Sequence, residues 1–163
     1  MKKLLSVLLS VTLVFSLCAC GAKETAATTE KEETATEAGK TAREPIAKED
    51  LKIGVIHISD PAEGSGYTFT HDQGIVGMQE ALGLDDSQII RKNNVSDSDA
   101  TAIENAMREC VEEGCQIIFA TSWGYMDTCE ALAEEFPDVV FSHGTGYKSN
   151  GVNFNNYFGR IYQ

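Results

Sequence analysis

Between residues 51 and 155, short apolar runs rich in β-branched residues alternate with longer stretches whose apolar residues recur at helical spacing. The short runs are typical of buried parallel strands, and the longer stretches of amphipathic helices. We predict strands at residues 51–58, 88–91, 115–120, 138–142 and 151–155, with helices at 71–82, from about 100 to Gly114, and at 126–136. This order predicts an α/β fold, an open parallel sheet with helices on both faces.

Ligands bind to such sheets beyond the carboxyl ends of the strands. The loops to consider are therefore residues 59–70, 93–98, 121–127 and 143–150. Loops 59–70 and 121–127 carry aromatic side chains that a core does not require, and such rings can sandwich a flat ligand while polar groups fix its edge. The predicted ligand-binding residues are Asp60, Tyr67, Thr68, Trp123, Gly124 and Asp127. The alternative is that the aromatic rings pack on their own helices.

Signals for catalysis and metal binding are weak in this sequence. It has no nucleophile elbow, no phosphate-binding GKS or GKT motif and no Cys/His spacing for a metal. His71 followed by Asp72 leaves a hydrolase as an alternative. We predict a protein that is not an enzyme, with no catalytic residue, no metal and no cofactor.

The cysteines of the predicted domain are Cys110, Cys115 and Cys129, an odd number that cannot pair fully within the domain. Cys110 falls late in a predicted helix and Cys115 opens the next strand, so the two could be neighbours. We expect all three to be buried thiols.

The N-terminus has the features of a secretory signal. Lys2 and Lys3 precede an apolar run at residues 4–17, which is shorter than a membrane span. The ending Leu17-Cys18-Ala19-Cys20 resembles the lipobox of bacterial lipoproteins. The resemblance implies that residues 1–19 are removed and that lipidated Cys20 anchors the protein to the extracytoplasmic face of the cell membrane. The alternative is an ordinary signal peptide with incidental cysteines.

Residues 20–49 are dominated by Ala, Thr, Glu and Lys, so we predict a disordered acidic spacer after the lipidated cysteine. Residues 50–163 are then one folded domain. The formal net charge of −12 argues against nucleic acid as a partner, because nucleic-acid binding needs a basic surface.

Several segments together resemble the basic membrane protein family of ABC-transporter substrate-binding lipoproteins, which includes purine nucleoside receptors. They are residues 53–56, 66–74, 119–126, 136–141 and 155–163. The resemblance implies a type I periplasmic-binding fold, in which two α/β lobes close on a ligand. Family members run to roughly twice this length, so it implies that this chain is truncated and holds the N-terminal lobe only.

The resemblance also implies roles for particular residues. Tyr67 falls on the family's base-stacking Phe and Thr68 on its Asn, while Asp127 falls near an acidic position of the second loop. It implies a purine base or nucleoside as ligand, an ABC permease as partner, and a monomer that works by binding without catalysis. The alternatives are a surface sensor or adhesion module that reuses the fold, and a non-functional fragment.

Overall fold

The computed structural model describes residues 43–158. The predictions for the signal segment, for Cys20 and for most of the spacer lie outside these residues, as does the segment 159–163. The described strands are β1 Ile53–Ile56, β2 Ile89–Lys92, β3 Ile117–Ala120, β4 Val140–Gly144 and β5 Phe154–Tyr157, and the helices are α1 Gly66–Leu82, α2 Ala100–Glu112 and α3 Met126–Glu135.

The strands form one sheet in the order β2-β1-β3-β4-β5, and every pairing is parallel. Ile53 of β1 pairs with Ile89 of β2 on one side and Ile117 of β3 on the other. The predicted open parallel α/β sheet is therefore confirmed. Because all strands run the same way, their carboxyl ends meet at one edge of the sheet, which we call the binding edge.

Helices cover both faces, as predicted. On one face Ile53 and Val55 of β1 pack with Ile75 of α1. On the other face Ile56 of β1 joins the larger cluster of α2 and α3, which includes Ile103 and Leu132. The side chains of β1 therefore contribute to two separate apolar layers, one on each face of the sheet.

Helix α1 begins five residues earlier than the predicted start at His71. The buried residues of α1 are Thr68, Asp72 and Ile75. They recur at helical spacing, although two of them are polar. Because the predicted helix was based on apolar residues alone, it does not include the first turn of α1. As a result Tyr67 lies on a helix rather than on the predicted loop.

The compact unit begins at Arg43, before the predicted domain boundary at residue 50. The Arg43 guanidinium donates to the carbonyl oxygens of Pro137, at 2.7 Å, and Asp138, at 3.3 Å. The Gln88 amide donates to the carbonyl oxygen of Lys48 at 2.7 Å. Residues 43–49 are thus held by the lobe. No helix within residues 43–158 is both long and apolar enough to cross a membrane.

Candidate ligand-binding site

The first turn of α1 places Tyr67 at the binding edge. Its hydroxyl donates to the carbonyl oxygen of Thr121, directly after β3, at 2.5 Å. Its ring lies 4.4 Å from the His71 ring, at an interplanar angle of 57°. The side chain is held at both ends, yet 44% of the residue remains exposed. Tyr67 therefore presents a fixed and partly exposed aromatic surface at this edge of the sheet.

A second aromatic surface lies two residues beyond Thr121. Trp123 is 57% exposed and Tyr147, in the loop after β4, is 69% exposed. Their ring centroids are 5.7 Å apart at an interplanar angle of 49°. The sequence did not single out Tyr147, although it lies in a loop, 143–150, predicted to face the ligand. Its place next to Trp123 depends on the pairing of β3 with β4.

A cavity of about 480 Å³ opens at the binding edge, where α1 begins and β4 and β5 end. Its lining consists of Gly66, Tyr67, Thr70, His71, Thr145, Tyr157 and Phe158. Burial raises the pKa of Tyr67 and lowers that of His71, and it raises the pKa of Tyr157 to about 12. The lining is therefore rich in aromatic rings, and its titratable side chains are uncharged at neutral pH.

Two predicted site residues, Asp60 and Thr68, have their side chains in internal contacts. The Asp60 carboxylate accepts from the backbone N–H of Ala62 at 2.9 Å and caps a short turn. Thr68 is only 3% exposed, and its hydroxyl accepts from the Ser59 hydroxyl at 2.9 Å. Neither residue lines the cavity.

Gly124 is close to another loop of the protein. A Cβ at this position would overlap the carbonyl oxygen of Asp97, in the loop after β2. The Asp97 carboxylate also accepts from the Ser122 hydroxyl at 2.7 Å, which joins the loops that follow β2 and β3. Gly124 is one of the predicted ligand-binding residues, but the structure shows a steric reason for glycine at this position that needs no ligand.

Asp127 points to solvent, with a side chain that is 84% exposed. Its carboxylate accepts from Lys148 Nζ at 2.9 Å, and the Glu130 carboxylate accepts from the same nitrogen at 2.6 Å. These ion pairs connect α3 to the loop that carries Tyr147. Of the predicted site residues, the structure thus gathers Tyr67, Trp123 and Gly124 around the segment after β3. Asp60 and Thr68 make contacts within the protein, and the Asp127 carboxylate pairs with Lys148 of the loop after β4.

A buried polar network lies behind the binding edge. His57, fully buried after β1, places Nε2 3.3 Å from Asp72 Oδ1 and Nδ1 3.3 Å from the Thr121 hydroxyl. Arg91 Nε donates to the same Asp72 oxygen at 2.7 Å. Burial lowers the pKa of His57, against the opposing effect of Asp72. The network connects α1 to β1, β2 and β3.

The same network separates His71 from Asp72. The Asp72 carboxylate is directed to His57 and Arg91, while His71 Nδ1 lies 3.5 Å from the Tyr157 hydroxyl. Consecutive helix residues do not share a face, so the His71–Asp72 pair considered for hydrolysis is not formed. Among residues 43–158, no group of three or more His, Cys, Asp or Glu side chains is placed to hold a metal ion.

Comparisons with solved structures agree with this fold. A solute-binding protein of an ABC transporter system from Conexibacter woesei superposes with a TM-score of 0.51 at 18% identity, over 66% of this chain and 35% of that one. A transcriptional activator of the comK gene from Bacillus halodurans also gives 0.51, at 17% identity, over 64% and 33% of the two chains. At these identities the likeness concerns the fold alone.

Sequence comparison identifies closer relatives. A purine-binding protein of Brucella abortus is 38% identical over 117 residues, 72% of this chain and 32% of the relative. An ABC transporter glucose-binding protein of Haloferax volcanii is 30% identical over 119 residues, 73% and 29% of the two chains. This chain thus spans about a third of the length of these relatives. The Bmp family model, described as PnrA-like ABC transporter substrate-binding protein, matches residues 51–163. The chain belongs to the Bmp family of ABC transporter substrate-binding proteins, as its sequence motifs predicted.

Proposed function

We propose that this chain supplies the N-terminal lobe of an extracytoplasmic receptor that binds a purine base or nucleoside and delivers it to an ABC permease. It acts as a monomer by binding and docking, without a catalytic step. The observation that carries the ligand class is the cavity at the binding edge, whose lining is aromatic and uncharged. The purine-binding relative supports the same class.

The lining favours a flat heterocycle over a sugar. The hydroxyl of Tyr67 donates to Thr121, that of Thr70 to Gly66 and that of Thr145 to Gly144. Few donors are therefore left for a ligand with many hydroxyl groups, and buried hydroxyls without partners are costly. A sugar is nonetheless the second candidate, because one relative is named as glucose-binding.

Tryptophan fluorescence tests the ligand class directly, because Trp123 is the only tryptophan in the sequence. We expect adenine or adenosine, titrated to millimolar concentrations, to change the emission of Trp123 in a saturable manner, and glucose to leave it unchanged. A saturable response to glucose alone would assign the sugar instead. No response to any base or nucleoside would reject the purine proposal.

Tyr67→Ala should weaken purine binding about 10- to 100-fold, the range expected when one aromatic platform under a base is removed. Trp123 remains as the probe in this variant, so the same titration measures the loss. The matched control is Leu82→Ala, at the opposite end of α1, where Leu82 is 50% exposed. Equal affinity in the Tyr67 variant and the control would remove Tyr67 from the site.

The proposed location depends on lipidation of Cys20. When cells are grown with labelled palmitate, we expect the wild-type protein to carry the label and to be found in the membrane fraction. The Cys20→Ser variant should carry no label. The matched control is Cys18→Ser, which changes the neighbouring cysteine and should retain both the label and the membrane location. Unchanged labelling in the Cys20 variant would contradict the lipobox assignment.

A further inference from the structure

The end of α2 brings two cysteines together. The helix is followed by Gly114, whose φ of +86° lies in the left-handed region. The N–H of Gly114 donates to the carbonyl oxygen of Val111, and the N–H of Cys115 to that of Cys110, both at 2.9 Å. This pair of hydrogen bonds defines a Schellman helix end, in which the side chains at the positions of Cys110 and Cys115 commonly lie in contact.

The surroundings enclose this pair. Cys110 is fully buried and Cys115 is 2% exposed, and both belong to the core cluster on the α2 and α3 face. A Cβ on Gly54 of β1 would lie 2.9 Å from Cys110 Sγ, so the sulfur sits directly on the sheet. Both cysteines are free thiols in the structure, and each thiol shifts the pKa of the other, upward for Cys110 and downward for Cys115, as neighbouring sulfurs would.

Cys129 provides the internal contrast. It is fully buried in the same cluster, but its sulfur lies 4.0 Å from the thioether of Met107. Burial alone raises the pKa of this thiol. Cys129 thus behaves as a packed apolar residue.

We propose that Cys110 and Cys115 form a disulfide bond when the chain folds outside the cytoplasm. The inference takes the oxidising compartment from the proposed function and is independent of the ligand. Because both thiols are buried in the folded lobe, the bond forms before the end of α2 packs against β1. The bond then fixes the connection between α2 and β3, the strand that leads to Trp123.

The reaction is thiol–disulfide exchange with a small disulfide such as oxidised glutathione. The Cys115 thiolate attacks one sulfur of that disulfide, forms a mixed disulfide and expels one glutathione thiolate. The Cys110 thiol then loses its proton and attacks the Cys115 sulfur, which expels the second thiolate. The two protein thiols are oxidised and one oxidised glutathione is reduced to two molecules of the thiol.

Oxidative refolding tests the proposal without depending on access to the native thiols. The reduced, unfolded chain is refolded in glutathione redox buffer, denatured, alkylated and digested with trypsin. Cleavage after Arg108 and Lys148 places all three domain cysteines in one peptide. We expect that peptide to carry a single alkyl group, on Cys129, and to lack the mass of two hydrogen atoms.

Matched variants identify the pair. In Cys129→Ser the oxidised peptide should carry no alkyl group, whereas in Cys115→Ser it should carry alkyl groups on Cys110 and Cys129. The oxidised wild-type chain should also melt several degrees higher than the reduced chain, a difference that Cys115→Ser abolishes. Alkylation of all three cysteines after oxidative refolding, or a bond that includes Cys129, would overturn the proposal, while the Trp123 titration would be unaffected.

Discussion

Gly124→Ala is expected to destabilise the lobe by about 3 kcal/mol, the upper range for overpacking of a close contact. The added Cβ would overlap the Asp97 carbonyl oxygen and lie 2.9 Å from its carbonyl carbon. Both are backbone atoms, so no side chain can rotate away. One of the two loops has to move, and Trp123 moves with it. Urea denaturation measures the loss of stability.

Gly77→Ala is the matched control for this substitution. Gly77 lies on the exposed side of α1, and a Cβ there would meet no atom within 4 Å. Alanine should stabilise the lobe by about 0.5–1 kcal/mol, because glycine is unfavourable within a helix. If Gly124→Ala were as stable as wild type, the close approach to Asp97 would be wrong. We also expect Gly124→Ala, but not Gly77→Ala, to lose the purine-dependent change in Trp123 emission.

Asn153→Asp should have a comparable or larger effect, about 3–5 kcal/mol. Asn153 is 3% exposed, and its amide nitrogen donates to the carbonyl oxygens of Ala133, Phe136 and Val139 at 2.8, 3.2 and 2.9 Å. These carbonyls belong to the end of α3 and the turn after it, which lack helix partners. A carboxyl group cannot supply two N–H donors, and as an ion it would be a buried charge facing oxygen atoms.

Asn155→Asp separates this effect from a general effect of charge. Asn155, two residues away on β5, is exposed, and its side-chain oxygen accepts from the Ser142 hydroxyl at 2.9 Å. A carboxylate keeps that acceptor, so we expect a change below about 0.5 kcal/mol. Chemical denaturation followed by circular dichroism compares the two variants. Equal midpoints would mean that the Asn153 amide contributes nothing to the end of α3.

The central strands β1 and β3 were predictable because each is a short run of apolar residues, whereas β5 has only one buried residue, Phe154. The first turn of α1 was not predictable, because its inward-facing residue is the polar Thr68, whose hydroxyl accepts from Ser59. The next inward-facing residue, Asp72, is also polar and contacts His57 and Arg91. Such contacts are made between residues distant in the sequence, so local periodicity carries no sign of them.

The site was predictable to a similar degree. A parallel sheet places its loops at one edge, so Tyr67 and Trp123 could be assigned to that edge from the order of elements alone. The partner of each side chain could not, because it depends on which strands are neighbours. The ring of Tyr147 lies against that of Trp123 because β4 is the neighbour of β3 in the sheet. The roles of Asn153 and Gly124 likewise depend on contacts across the fold.

The bond from the Tyr67 hydroxyl to the Thr121 carbonyl has a thermodynamic consequence. Because this bond and the His71 ring already restrict the tyrosine, its rotamer entropy is lost during folding and not during complex formation. We therefore expect Tyr67→Phe, which keeps the ring and removes the bond, to make the entropy of association less favourable while the enthalpy of stacking stays nearly the same. The hydroxyl oxygen of Tyr67, without touching the ligand, would then determine how much conformational entropy is lost when the complex forms.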